Sequence, residues 1–487
     1  MSKIVIFAAL LMSVPLLLIP QSSTFSFWYE SQENKNSAIP LELSDGRIIV
    51  PINIFTGSAY SPSKIDKAFL LDINKNGDTN RYFYPIADTS FNYARIVSTL
   101  DGGFLITGAS RQVDSDSVNL LMIMLNSDME IIWRKHHYLS EIRRMAALKI
   151  FPLNDGGFIL AGYVGNFTST KLYPYLLRVN VSGEVLREKI YEFSSIENCE
   201  FMISPSGSRI WMFAYGLQPQ PNGMSVTVLD TTFTYISSQI IQLTGTPPYQ
   251  ANWLSDTSFI LSYQARKIDL PYQDEEYNIQ IMDTLFNVLK FEQFGLPNAY
   301  DCPAWSQGHD HKHPDTLFYA ANTDLYFGYP PEGYNNWFMV RQSNGQLEER
   351  YRSFFGGDAY YYVSSITATN DGGCFVIARK HNRNTDNFEL LFLKLNSQGL
   401  LVGTSDPKLK QQMFMLYPNP SSDEFVVETY LESVTITMFD SNGRMLSKYV
   451  GVKGKNVVNI SSIPSGLYVV SLYSNGKLVE NKKLIKK

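Results

Sequence analysis

Asp101-Gly102-Gly103-Phe104-Leu105-Ile106-Thr107-Gly108 decides the fold, because it recurs. Asp155-Gly156-Gly157-Phe158-Ile159-Leu160-Ala161-Gly162 and Asp371-Gly372-Gly373-Cys374-Phe375-Val376-Ile377-Ala378 follow the same pattern. The Asp carboxylate can accept turn N–H groups, and the glycine pair tolerates φ > 0. The apolar run behind it reads as a strand covered on both faces. Degenerate copies stay in phase at Asp45-Gly46-Arg47-Ile48, Pro205-Ser206-Gly207, Asp256-Thr257-Ser258-Phe259 and Asp315-Thr316-Leu317-Phe318. From Asp45 to Asp371 is 326 residues in six steps. The period is therefore about 54, close to that of propellers and other repeat arrays.

Each turn is followed by a second apolar segment, at residues 68–73, 120–125, 175–179, 225–229, 279–282, 337–340 and 390–395. Most run into polar turns such as Asn74-Lys75-Asn76-Gly77 or Ser397-Gln398-Gly399, which have hairpin chemistry. A third element, as at residues 131–136 and 186–191, mixes apolar and charged positions like an exposed outer strand. A fourth precedes each Asp turn, as at 94–98 and 363–367. Four strands per period, the inner ones apolar on both faces, describe a propeller blade. The expectation is an all-β chain with a seven-bladed β-propeller over residues 25–405. The stretch Phe25–Tyr29 supplies the outer strand missing from the last blade. Residues 139–147 are the one stretch with helical patterning.

Composition and the N-terminus set the compartment. Aromatic residues make up 14% of the chain and charged residues 18%, with a net charge of −5, which gives no electrostatic case for nucleic acid. Lys3, an apolar run over residues 4–19 and the polar Gln21-Ser22-Ser23 read as a secretory signal peptide over residues 1–24. No later stretch is long and apolar enough to span a bilayer as a helix. Cys199, Cys302 and Cys374 are odd in number and far apart, so they form no disulfide framework and read as buried thiols.

Residues 406–414 read as a linker, and residues 415–487 as a small antiparallel β-sandwich. Its expected strands are 425–429, 434–439, 445–449, 457–460, 467–473 and 477–485. The stretch carries Tyr417-Pro418-Asn419-Pro420, Asp440 with Asn442-Gly443-Arg444, Ile463-Pro464-Ser465-Gly466-Leu467-Tyr468, and a basic tail with Lys482 and Lys483. In that order these motifs resemble the type A C-terminal sorting domain of the Bacteroidetes type IX secretion system. The resemblance implies recognition by the outer-membrane secretion machinery, removal of the module, and release of the cargo or its attachment to surface lipopolysaccharide. The repeats over residues 38–405 resemble the Asp-Gly-Gly-Phe propeller repeats of secreted Bacteroidetes proteins. The module carries a charge of +3 and the remainder −8, as suits a separate handle on its cargo.

Candidate chemistry in the cargo is sparse. His309, His311 and His313, three of the six histidines, fall on one face if extended, where two or three can share a metal. The competing reading is a polar loop. The turn aspartates read as turn-makers because they recur, and Asp274-Glu275-Glu276 reads as a solvated loop. Tyr326, Tyr329, Tyr334 and Tyr361 lie in aromatic-rich insertions suited to stacking on sugars or peptides, or to packing between blades. No Gly-x-Ser-x-Gly elbow, P-loop or His-Glu-x-x-His occurs. The expected protein is secreted or surface-displayed, binds a protein or glycan without catalysis, and needs no cofactor. The alternatives are a glycan lyase or hydrolase on the same scaffold, or a structural surface component.

Overall fold

The computed structural model describes residues 24–29, 33–58, 61–112, 118–138, 144–165, 172–191, 196–216, 223–242, 248–266, 275–296, 299–326, 329–401, 411–412, 414–474 and 476–487. Residues 1–23 of the expected signal peptide, Asp274 and most of the expected linker lie outside these residues. Among the described residues there are strands and turns and no helix. Residues 144–147, expected in a short helix, begin the strand Arg144–Pro152 instead. Its register against Phe158–Gly165 shifts between Ala147 and Lys149. That irregularity disrupts the period-two pattern over this stretch.

The strands follow the sequence repeat. Asn34–Ser37 and Leu41–Glu42 pair with Ile48–Ser58, followed by Ser61–Ile73 and Thr79–Phe83. Thr89–Ser98, Phe104–Gln112, Asn119–Leu125 and Ile131–His137 form the next four-stranded meander. An eight-stranded sheet then runs from Arg144–Pro152 to Tyr235–Gln242. It is two four-stranded meanders joined by the single pair Leu172↔Ile196. Pro248–Trp253 to Val288–Phe294 make a four-stranded sheet, and the following sheet is centred on Thr316–Asn322 and Trp337–Ser343. The last meander, Tyr361–Ala368, Cys374–Asn382 and Asn387–Leu395, takes Phe25–Tyr29 as its outer strand, with Phe25 opposite Lys394 and Tyr29 opposite Leu390. The arrangement is all-β and propeller-like.

Apolar clusters hold neighbouring sheets together. One joins Ile49 and Leu70 to Ile106 and Ile123. The next joins Leu105 and Met122 to Leu160 and Leu177, and others continue the chain in order. Phe375 and Phe392 of the last meander pack on Val50 and Phe69 of the first. Middle strands must therefore be apolar on both sides. In Asn387–Leu395, Leu390, Leu391, Phe392, Leu393 and Leu395 are each fully buried. Each such side chain contributes about 1.5–3 kcal/mol of transfer free energy.

The Asp-Gly-Gly turns work as a unit. At the second copy, Gly157 N–H donates to Asp155 Oδ1 (2.9 Å), and Arg178 bonds Asp155 Oδ2 (2.8 Å). At the third, Lys394 Nζ reaches Asp371 Oδ2 (2.8 Å). Gly102, with φ +82, has open space where a Cβ would sit, whereas a Cβ on Gly103 would lie 2.3 Å from the Leu125 carbonyl oxygen. The first glycine answers a backbone angle, and the second lets one strand pass close to the end of another.

The hairpins after the third strands share a different device. Asn126, Asp230, Asp283, Asn344 and Asn396 each accept N–H groups from two and four residues on. In four of these turns the residue at positive φ is large and apolar: Met129 (64°), Phe233 (62°), Phe286 (67°) and Leu347 (64°). Met129, Phe233 and Leu347 are buried, and Phe286 packs partly buried. A left-handed conformation costs about 1–2 kcal/mol, and burial more than offsets it.

Two outcomes check this account. Deleting Phe25–Tyr29 should lower the melting temperature by on the order of 10 °C or more, because it bares an apolar sheet edge. Gly103→Ala should destabilise by more than about 2 kcal/mol and Gly102→Ala by about 1 kcal/mol, measured by urea unfolding.

Candidate functional sites

The C-terminal module is one sheet folded over a shared core. Two pairs of expected strands are each a single long strand, Glu424–Phe439 and Met445–Asn459. The first changes register between Thr429 and Ser433, where it crosses from one half to the other. Phe425, Val427 and Val458 of one half share a core with Ile436, Val470 and Leu484 of the other. The signature residues split by role. Asn419 imitates a strand backbone: its Nδ2 donates to the Lys483 carbonyl (2.8 Å) and its Oδ1 accepts from Ile485 N–H (2.9 Å). Ser421 N–H donates to the Ile485 carbonyl and accepts Lys487 N–H on its own carbonyl, both at 2.8 Å. Tyr417 and Pro418 enter this clasp, and Tyr417 Oη donates to Glu428 (2.6 Å). Pro420 follows it. Asp440 Oδ1 accepts the Asn442 and Arg444 N–H groups while Gly443 takes φ 78°. Tyr468 Oη donates to the Pro464 carbonyl (2.6 Å), and its ring packs near Gly466. Burial lowers Lys482 to about 8, and its Nζ lies 5.1 Å from the Phe414 ring centre. Arg444 and Lys483 are exposed and so available to a receptor.

The module touches the body of the molecule. Gln411–Gln412 pairs with Phe354 and Phe355, and Lys453 Nζ donates to the Glu349 carbonyl (2.6 Å). A cavity of about 900 Å³ lies in this seam, lined on one side by Lys312, Arg350 and Thr369 and on the other by Leu431, Ser433 and Ser474.

The histidines do not form the expected one-faced trio. A register shift falls between His311 and His313 in the strand His309–His313. His309 is buried: its Nδ1 lies 2.9 Å from Ser262 Oγ, its N–H donates to Gln250, and burial holds it far below its ordinary value. His311 is lowered by burial and bonds the Trp253 backbone, while His313 is exposed. Among the described residues no three His, Cys, Asp or Glu side chains are grouped to hold a metal. Cys199, Cys302 and Cys374 are buried thiols, none of them in a disulfide.

Two acids near these strands are sealed. Burial raises Asp310 to about 6, and its carboxylate accepts Ala368 N–H (2.8 Å). Burial raises Asp301 to about 8; it accepts N–H groups from Leu296 and Asp324, and beside Glu276 it fills the space over Gly295. Glu276 is itself buried, unlike the solvated loop expected for it.

The tyrosines make a ladder. Trp305 meets Tyr362 edge-on (6.0 Å between centres), Tyr362 meets Tyr360 (5.2 Å), Tyr360 meets Tyr334 (6.0 Å) and Tyr334 meets Tyr326 (5.5 Å). A branch runs from Tyr362 through Phe388 and His381 to Tyr329. Its ends are open to solvent: Trp305 is 49%, Tyr326 39% and Tyr329 53% exposed. Tyr334 is partly buried. Tyr361, expected among the ligand residues, is instead fully buried against Trp28 and Phe338, and its hydroxyl is bonded to Asp358. Strand alternation turns it to the opposite side from Tyr360 and Tyr362, into the packing between sheets. Sequence inspection passed over Trp305, whose only signal is a lone Trp beside Ser306-Gln307-Gly308.

Residues 415–487 match the secretion system C-terminal sorting domain family. No curated protein matches the sequence of this chain. Among solved structures, PorZ, a surface component of the type IX secretion system of Porphyromonas gingivalis, aligns with 93% of this chain and 75% of its own, at 11% identity and a TM-score of 0.29. The β-propeller domain of the Trilobed protease from Pyrococcus furiosus aligns with 66% of this chain and 95% of its own, at 10% identity and 0.34. Pyrococcus horikoshii acylaminoacyl peptidase aligns over 81% of this chain, which spans 58% of the peptidase, at 10% identity and 0.41. These likenesses bear on neither activity nor ligand. The matched module makes the chain a cargo for secretion to the cell surface or beyond.

Replacing Asn419 by Ala removes both bonds to the last strand. The module should lose about 1–3 kcal/mol. The expected readout is faster amide exchange over Lys477–Lys486, with the sheets before residue 401 unaffected.

Proposed function

We propose that residues 25–405 form a closed seven-bladed propeller that binds an extracellular protein or glycan without chemistry. Residues 1–24 are its signal peptide, 406–414 its linker and 415–487 a type A sorting module. Closure is supported by the succession of clusters that returns from Phe375 and Phe392 to Val50 and Phe69, and by the division of the eight-stranded sheet at one residue pair. Export is supported by the family match over residues 415–487. The observation that carries the binding role is the aromatic ladder. Its interior rings are packed rigidly, while Trp305, Tyr326 and Tyr329 stand open at its ends. Rigid, half-exposed aromatics bury a large contact area at low entropic cost.

A glycan array and a pull-down from envelope material, run beside a polysaccharide-degradation assay, test this reading. Binding that weakens in a Tyr326→Ala, Tyr329→Ala double variant, with no shortened product, is expected. Turnover of a polysaccharide would overturn it in favour of an enzyme. Normal secretion after loss of residues 415–487 would overturn the export assignment.

A further inference from the structure

Where the first strands of several sheets meet, a cavity of about 260 Å³ lies beside Trp305. Its walls come from positions far apart in sequence: Asn36, Ser37, Asn92, Arg95, Trp305 and Arg379 are among them. The wall holds two arginines and no carboxylate. Glu200 pairs with Lys149 at 2.6 Å and also lies within electrostatic reach of Arg95, so with Arg379 three cations outnumber one carboxylate around the cavity. Burial lowers Arg95 to about 10, which keeps it charged at neutral pH.

The hydrogen-bonding groups are biased the same way. The Asn36 side-chain oxygen accepts from Asn53 Nδ2 (3.1 Å), and the Asn92 side-chain oxygen accepts from Ala109 N–H (2.7 Å). Each amide also carries N–H donors beside that engaged oxygen. Ser37 is 7% exposed, and its hydroxyl has no partner among the described residues. An acceptor in the cavity would give this hydroxyl the partner it lacks. Arg379 is held in place over the Tyr362 and Phe388 rings at 5.3 and 4.9 Å, so its position is fixed in advance. Trp305 stands beside these donors, half-exposed.

We propose that this cavity binds a carboxylated monosaccharide unit, a sugar acid, with the carboxylate toward Arg95 and Arg379 and one sugar face against Trp305. Two cations with several N–H and O–H donors around them select an anion rich in oxygen. A planar aromatic side chain next to them selects a ring with C–H groups on one face. The site specifies the ligand class within the binding role proposed above and rests on that role only in taking this end of the molecule as ligand-facing.

The test is titration of the full chain with D-glucuronate, D-glucose and the tripeptide Ala-Ala-Ala, read by calorimetry and Trp fluorescence. Glucuronate should bind at least about tenfold more tightly than glucose or the tripeptide. Arg379→Gln and Trp305→Ala should each weaken it by about tenfold, with the melting temperature and the far-ultraviolet spectrum checking the fold. Equal binding of glucose, preference for the tripeptide, binding indifferent to both cavity variants, or no binding of any probe would overturn the sugar-acid site. A positive glycan array that glucuronate does not compete would overturn this site while leaving the broader binding role standing.

Discussion

The large unit depends on one constraint: its sheets have no dry side of their own. Each meander is apolar on both faces and is stable only when another sheet covers each face. Ile106 of one strand faces back toward Leu70, while its neighbour Leu105 faces forward toward Leu160. The alternation that would normally separate core from solvent here separates two cores. Polar groups are driven to the edges: outward to strands such as Val185–Ile190, largely exposed, and inward to where the first strands meet. That inner zone collects Arg95, Lys149, Glu200 and Asp310.

The C-terminal module solves the opposite problem. It closes over a core of its own, and its signature residues serve that fold. Asn419 and Ser421 close the last strand onto the start of the module, and Asp440 shapes a hairpin that presents Arg444. The basic tail is thereby held as a strand of the module's sheet.

Much of the architecture was legible because a few residue types have no substitute at their positions. The paired glycines after Asp101, Asp155 and Asp371 mark places where either the backbone angle or a facing carbonyl excludes a side chain. The strand Phe25–Tyr29 was readable from a count of strands in the last unit, and it pairs where that count placed it. The hairpins around Met129, Phe233, Phe286 and Leu347 were only partly legible. Turn chemistry there is carried by an Asx side chain, and the left-handed position is filled by an apolar residue that local rules assign elsewhere. The helix expected near residues 139–147 failed from residue 144 on, because a bulge breaks the strand alternation. Tyr361 was misplaced because three consecutive tyrosines alternate between sides of a strand. The cavity beside Trp305 left no local trace at all. Its walls are runs of a few residues from separate repeats, brought together only by the fold.

The pairing of Phe25–Tyr29 with Leu390–Lys394 ties the start of the chain to nearly the end of the large unit. Such a link has the longest loop to close and so forms late in folding. Until it forms, the last meander presents a bare row of backbone donors and acceptors, the kind of edge on which chains stick together. Covering that edge and joining the two ends of the large unit are thus one and the same event.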